Sequence, residues 1–325
     1  MAIPRSSTPR DVPSFRANRR QIFGGAAATL AAGMIPAVTA VAQTPASGHA
    51  QAVVSADADA TRAGLDILAQ GGTAADAAVA VAAVLSVVES WFSSALGGGT
   101  WGIYYDAANH DLTSLDGVGR TGSKATLDDY RGRIRDVGIH HAIVPAAWDA
   151  WMLWLGRYGR LDLGPILAPA IGLARDGRPA SADMARWLKT REDEIAELPD
   201  TAAIYAPDGE VAKEGDVVRQ EAMADTFEDL VEAWDDGLAT SREAAVQAAR
   251  DHFYRGPIAE AIVAFSDEHD GYFTLEDFAS FEAEIVTPVT IDYGDGVQVY
   301  QCPPNSQGIT MLMALNILKG FDLAP

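Results

Sequence analysis

Side chains that could carry chemistry are few in this sequence. The single cysteine, Cys302, stands between Gln301 and Pro303 at the end of an expected strand. A thiol becomes a nucleophile only beside a base or cation, and none adjoins it in sequence, so a small, partly buried residue is expected. His140 and His141 form the one histidine pair. On a strand they would point to opposite faces, and no third ligand stands at metal spacing, so no metal site is expected. Gly97-Gly98-Gly99 invites comparison with phosphate loops. Those loops run strand, glycines, helix, so that helix N–H groups meet the anion. Here the order is helix, glycines, strand, with no Gly-Lys-Ser/Thr following, and a tight turn is the better expectation. Trp148, Trp151 and Trp154 recur at every third residue. Such a stripe could stack sugars, but it suits a helix core better. There is no Gly-x-Ser-x-Gly elbow and no other nucleophile motif.

The elements that must hold these residues show in the spacing. Ala52 to Ser55 reads as a short strand, and Ala58 to Gln70 as a helix closed by Gly71-Gly72. Thr73 can cap a second helix running through Glu89. Its apolar stretch, Ala77 to Val88 broken only by Ser86, is too short to span a bilayer and reads as a fully buried helix. Trp101 to Tyr105 has strand propensity, and Leu112 to Leu115 could pair with it across a turn. From about 146 to 266 the chain turns helical, in segments 147–157, 164–175, 181–196, 221–234, 241–253 and 257–266. A short helix at 277–281, started by Thr274, follows. Strands at 285–293 and 297–301 flank Gly294-Asp295-Gly296, and a last helix covers 308–318. The order lacks the regular βαβα beat of a doubly wound sheet, so the fold class expected is α+β.

Charge narrows the function classes. Lys and Arg number 24 against 45 Asp and Glu, a net charge of −21, and only four of the bases are lysine. Such a surface repels nucleic acid and anionic lipid. One cysteine excludes an internal disulfide. The basic residues gather at the start: residues 1–42 hold five arginines and one aspartate, leaving −25 on the remainder. Arg19-Arg20-Gln21-Ile22-Phe23, a weakly apolar middle and Ala40-Val41-Ala42 match a twin-arginine export signal, cleaved before Gln43. The expected product is a periplasmic or secreted protein, with residues 43–51 as a linker and 52–325 as the working region.

Gly71-Gly72-Thr73-Ala74-Ala75-Asp76-Ala77-Ala78-Val79-Ala80 resembles the Gly-Gly-Asn-Ala-x-Asp-Ala-Ala-Val-Ala signature of the γ-glutamyltranspeptidase family. The likeness continues in order through Leu96-Gly97-Gly98-Gly99, Val144-Pro145-Ala146, Tyr158-Gly159-Arg160-Leu161, Ala168-Pro169-Ala170 and Leu173-Ala174-Arg175-Asp176-Gly177. Phe253-Tyr254-Arg255-Gly256-Pro257-Ile258-Ala259, Leu275-Glu276-Asp277-Phe278, Pro303-Pro304-Asn305-Ser306-Gln307-Gly308 and Leu315-Asn316-Ile317-Leu318 follow. The resemblance covers about residues 52–325. It implies an N-terminal-nucleophile hydrolase with a four-layer αββα sandwich, cut by itself into a large and a small subunit. The nucleophile would be the threonine freed at the small subunit's N-terminus, with its own amine as base, and no metal or organic cofactor would be needed.

On that likeness these residues correspond to most of a large subunit, so no catalytic residue is expected among them and the chain alone should be inactive. The small subunit would be its partner, and part of the apolar content would be surface for that partner. The family places an arginine on the glutamyl α-carboxylate. Anchored on Leu115-Asp116 and Lys124-Ala125-Thr126, the corresponding position here is Val118, and Arg120 stands two residues later. On a strand two residues later is the same face, about 6–7 Å along. Arg120 could therefore still grip a carboxylate, or could be a solvated surface arginine. Three functions follow: γ-glutamyl transfer or hydrolysis, an acylase of the same fold for a non-glutamyl amide, and a periplasmic binding protein that uses the tryptophan helix.

Overall fold

The computed structural model of the chain describes residues 51–92, 96–133 and 138–321. The export signal expected at 1–42 and linker residues 43–50 lie outside these. Residues 51–55 run extended but unpaired, where a strand was expected. Val53 packs against helix α1 (Ala58–Ala69) near Gly64, and the Ser55 hydroxyl meets Asp57 O at 2.7 Å and Thr61 Oγ1 at 2.6 Å. Asp57 caps α1 by accepting from the N–H of Asp59.

Helix α2 (Ala74–Val88) opens with the expected cap, here a full capping box between Thr73 and Asp76. Asp76 is completely buried, yet its carboxylate accepts from Thr73 N–H at 2.7 Å, Thr73 O–H at 3.0 Å and Arg160 N–H at 3.0 Å. It thus ties the α1–α2 hairpin to the Tyr158-Gly159-Arg160 corner. The apolar run of α2 is buried nearly throughout, as its composition requires.

Strands β1 (Thr100–Asp106) and β2 (Asp111–Gly117) form the expected hairpin, with Trp101 opposite Asp116 and Tyr105 opposite Leu112. After α3 (Leu127–Arg133), the histidine pair lies in a single 3-10 turn, Ile139–His141, rather than on a strand. Helix α4 (Ala147–Tyr158) carries the tryptophan stripe inward. Trp148 donates to Ala249 O at 3.0 Å and Trp151 to Thr100 Oγ1 at 3.1 Å, while Trp154 lies against Gly102 of β1. With Trp148 and Trp151 fully buried and Trp154 at 8% exposure, no stacking face is left for the binding-protein reading.

Helix α5 (Leu163–Asp176) packs beside α2, and then a side lobe begins. Its parts are β3 (Arg178–Pro179), α6 (Ala182–Thr190), α7 (Glu192–Ala196), α8 (Pro199–Tyr205) and β4 (Val217–Val218). The single helix expected over 181–196 is broken at Arg191, where ψ is 16° and Thr190 bonds back to Arg186 O. The lobe has its own small core of Met184, Leu188, Ile195 and Val218. Helices α9 (Glu221–Leu238), α10 (Arg242–Tyr254) and α11 (Pro257–Glu268) return to the main core: α9, with Phe227, Leu230 and Trp234 buried, packs on α5 and α10, and Phe253 of α10 stacks on Trp148 of α4.

Helix α12 (Leu275–Ala279) starts directly after Thr274, earlier than expected, because Thr274 and Asp277 form a second capping box. The strand expected over 285–293 is two strands, β5 (Glu284–Val286) and β6 (Val289–Gly294). Pro288 between them has no N–H for a ladder. β5 joins β2, giving an antiparallel sheet in the order β1-β2-β5, and β6 pairs with β7 (Val297–Gln301) in a separate hairpin. Helix α13 (Gly308–Leu318) packs on that hairpin and buries only Gly308 and Leu312. The class is α+β, as expected. Among the described residues no helix is long and apolar enough to cross a membrane.

Replacing Asp76 with Ala removes the box and leaves the part-buried Arg160 and Thr73 N–H groups without this acceptor. The expected loss is about 3 kcal/mol, read as a lowered urea midpoint with an unchanged slope.

Candidate functional site

The segment that carries Arg120 is shaped by what lies beneath it. β2 ends at Gly117, and residues 118–120 are irregular, so the same-face strand argument for Arg120 does not hold. The chain instead lies flat against two neighbouring backbones. A Cβ on Gly119 would sit 1.7 Å from the Val144 carbonyl, and one on Gly122 would sit 2.2 Å from the Tyr272 carbonyl. Only glycine fits at either position. Val144 N–H donates to Arg120 O at 2.9 Å, and Thr121 bridges Ile143. The backbone of 119–122 is thus fixed while the Arg120 side chain stays in solvent.

Val118 and Arg120 both line one cleft of about 610 Å³. Its floor and walls include Asp116, Thr121, Ser123, Val144, Asp277, Ser280, Phe281, Glu282, Glu284 and Asn305. Three distant stretches of chain meet here. Asn305, from the Pro-Pro-Asn-Ser-Gln-Gly stretch, donates through Nδ2 to both Asp116 oxygens at 2.6 and 2.7 Å and accepts from Trp101 Nε1 at 3.1 Å. A carboxylate can only accept and an indole N–H can only donate, so the two partners fix which way the Asn305 amide faces. Asp277, besides capping α12, accepts from Ser123 N–H at 3.0 Å and Ser123 O–H at 3.1 Å. Among the described residues, the Arg120 guanidinium and the Glu282 and Glu284 carboxylates have no hydrogen-bond or ion-pair partner.

Asn305 and Asp277 were visible in the sequence only as parts of family-like motifs, and nothing local to either shows a cleft. Cys302 is half-buried, its Sγ 3.7 Å from Gly102 O. His140 Nε2 donates to Asp270 O at 3.1 Å. Among the described residues no group of three or more His, Cys, Asp and Glu could hold a metal ion.

Partial burial pushes the Asp277 carboxyl up, but the hydrogen bonds from Ser123 and Thr274 outweigh it and hold the group below its ordinary value. A depressed folded pKa contributes stability that is full above the unfolded value, near 4, and is lost as pH falls through the folded one. Urea midpoints compared at pH 7 and pH 3 should therefore drop less in Asp277→Asn than in the parent chain. An equal drop would remove Asp277 as a source of acid sensitivity.

Comparison with known proteins follows the same residues. The gamma-glutamyltranspeptidase family model matches residues 60–325. The glutathione hydrolase-like YwrD proenzyme of Bacillus subtilis (strain 168) is 37% identical over 278 residues, 85% of this chain and 50% of that protein. The glutathione hydrolase proenzyme of Escherichia coli (strain K12) is 36% identical over 282 residues, 83% of this chain and 45% of its own length. The chain thus spans about half the length of these curated relatives. Of the solved structures, Helicobacter pylori gamma-glutamyltranspeptidase aligns with a TM-score of 0.76 at 26% identity, covering 86% of this chain and 77% of that one. Cephalosporin acylase from Bacillus halodurans aligns with a TM-score of 0.72 at 31% identity, covering 87% and 52% respectively. With the motifs in order, the fold in common and the family model spanning most of its length, the chain belongs to the γ-glutamyltranspeptidase family.

Proposed function

We propose that this chain is the substrate-gripping part of a γ-glutamyltransferase-like enzyme that transfers or hydrolyses the acyl group of small amides of the glutathione type. The observation that carries this reading is the cleft whose lining includes Arg120, Glu282 and Glu284. A guanidinium fork suits a carboxylate, and the two carboxylates suit an ammonium, so the set matches the head group of an α-amino acid. The nucleophile would be a threonine on a small subunit from the same precursor. Its hydroxyl would attack the amide carbonyl, its own amine taking the proton, and water or an amine would then release the acyl group. This chain's contribution would be to bind and orient.

Val118 at the family's arginine position favours a second reading, an acylase for a non-glutamyl amide. The likeness to the cephalosporin acylase is in keeping with that. The two readings part on the complete gene product assayed with γ-glutamyl anilides and with non-glutamyl acyl amides. On the first, Arg120→Ala should raise KM for the glutamyl substrate by about ten- to a hundredfold, the worth of a charge-assisted hydrogen bond. Unchanged glutamyl KM in that variant would remove Arg120 as the anchor.

The partner's seat is the apolar face of β1 and α13. Trp101, Ile103 and Tyr105 alternate outward on β1, and Ile309, Met311, Met313 and Ile317 stand exposed on α13. Export through a twin-arginine leader would deliver the assembled precursor folded. Residues 43–325 purified alone should hydrolyse no γ-glutamyl anilide and should self-associate in sedimentation, while co-expression with a small subunit should give a discrete complex. A sharp thermal transition of an isolated monomer would count against the covered face.

A further inference from the structure

One layer behind the cleft lies a polar node that substrate binding does not use. Asp149 on α4 is 1% exposed. Its carboxylate accepts from Arg250 Nε on α10 and, at 2.7 Å, from the N–H of Ala283. Its own N–H donates at 3.1 Å to the Tyr254 hydroxyl, which donates onward to Pro145 O at 2.8 Å. Pro145 adjoins Val144, and Ala283 sits between Glu282 and Glu284. Val144, Glu282 and Glu284 line the cleft. The node therefore holds both walls of the cleft from behind, through one backbone carbonyl and one backbone N–H.

Stability alone does not call for an ion pair at this place. Burial pushes the Asp149 carboxyl above its ordinary value in spite of the Ala283 N–H and Arg250. Apolar residues of similar shape commonly replace buried ion pairs without loss of stability. What such a pair supplies is a fixed geometry, since Ala283 N–H must meet one carboxylate oxygen and Arg250 the other.

We infer that Asp149, with Arg250 and Tyr254, is a positioning residue for the cleft's amide chemistry, setting the distance between the Val144 wall and the wall that aims Glu282 and Glu284. This rests on the cleft being the substrate site. The kinetic test uses the complete enzyme with Asp149→Asn, Glu282→Gln and the double variant on a γ-glutamyl anilide. Asp149→Asn should lower kcat/KM on the order of a hundredfold, mainly through KM, as a misplaced binding wall does. In its background Glu282→Gln should then change KM little. Wild-type KM for Asp149→Asn, or effects on KM that simply multiply in the double variant, would overturn the inference. Should Asp149→Asn not fold, Tyr254→Phe keeps the ring and removes only the hydroxyl that joins Asp149 N–H to the Pro145 carbonyl. It should raise KM several-fold, and unchanged KM there would also overturn the inference. Hydrogen exchange supplies a readout independent of activity. In Asp149→Asn the Ala283 amide should lose protection while the α4 amides keep theirs, and retained protection at Ala283 would count against Asp149 holding the wall. If the parent enzyme turns over no glutamyl amide, the reading of the cleft fails, while the exchange result still decides whether Asp149 holds its wall.

Discussion

The described fold hangs on a buried carboxylate that does no chemistry. Asp76 lies inside the family signature, and its oxygens are occupied by Thr73 and by the Arg160 backbone. It fixes the end of α4 relative to α2. Arg242 reinforces the same corner by donating to Leu155 O, which also accepts the Gly159 N–H, and to Leu161 O in the loop after α4. With its end fixed, α4 can press Trp151 and Trp154 onto β1, and β2 then leads into the 118–123 segment that forms the cleft. Buried and fully hydrogen-bonded, Asp76 is in this fold a joint.

The same logic runs through the other family-like stretches, which meet in space. Gly98 O accepts from Ala146 and Ala147 N–H, so the glycine turn holds the start of α4. The Phe253-Tyr254 stretch grips Pro145, and Asp277 of the Leu-Glu-Asp-Phe stretch grips Ser123. Each pair joins a helix end or a turn to a backbone group that no helix or strand satisfies, and buried backbone groups require a partner. Around the cleft, these joints leave three charged side chains unpartnered: Arg120, Glu282 and Glu284.

Much of this was legible where the cause is local. Thr73 and Thr274 announced helix starts, each of which opens with a capping box, and the apolar density of 77–88 announced a buried helix. Pro288 could have announced the break between β5 and β6, since it removes a ladder donor in the middle of an otherwise continuous run. The same-face expectation for Arg120 required a strand through 118–120, and β2 ends at Gly117. Gly119 and Gly122 stop the strand there, and the reason, carbonyls of Val144 and Tyr272 beneath them, lies far along the chain. The pairs Asp76–Arg160, Asp149–Arg250 and Asp116–Asn305 are 84, 101 and 189 residues apart. Nothing in the residues near either partner encodes such a meeting, which depends on helices packing in one particular way.

Composition gives the amount of acidity, and the structure shows where it is withheld. Helix α13, Gly-Ile-Thr-Met-Leu-Met-Ala-Leu-Asn-Ile-Leu, has no charged residue, although only Gly308 and Leu312 of it are buried. The outward face of β1 likewise carries Trp101, Ile103 and Tyr105. In a chain with 45 acidic residues, charges are cheap to place on any surface that stays wet. Their absence from α13 and from the outward face of β1, where Asn305 holds Trp101, is in keeping with the seat proposed for a partner. Asn305 also touches Asp116 in the cleft, so whatever covers that face presses on the same loop that lines the proposed substrate site. Assembly and substrate binding would then share one hinge point, and a small subunit seated there would complete the cleft as it covers the apolar surface.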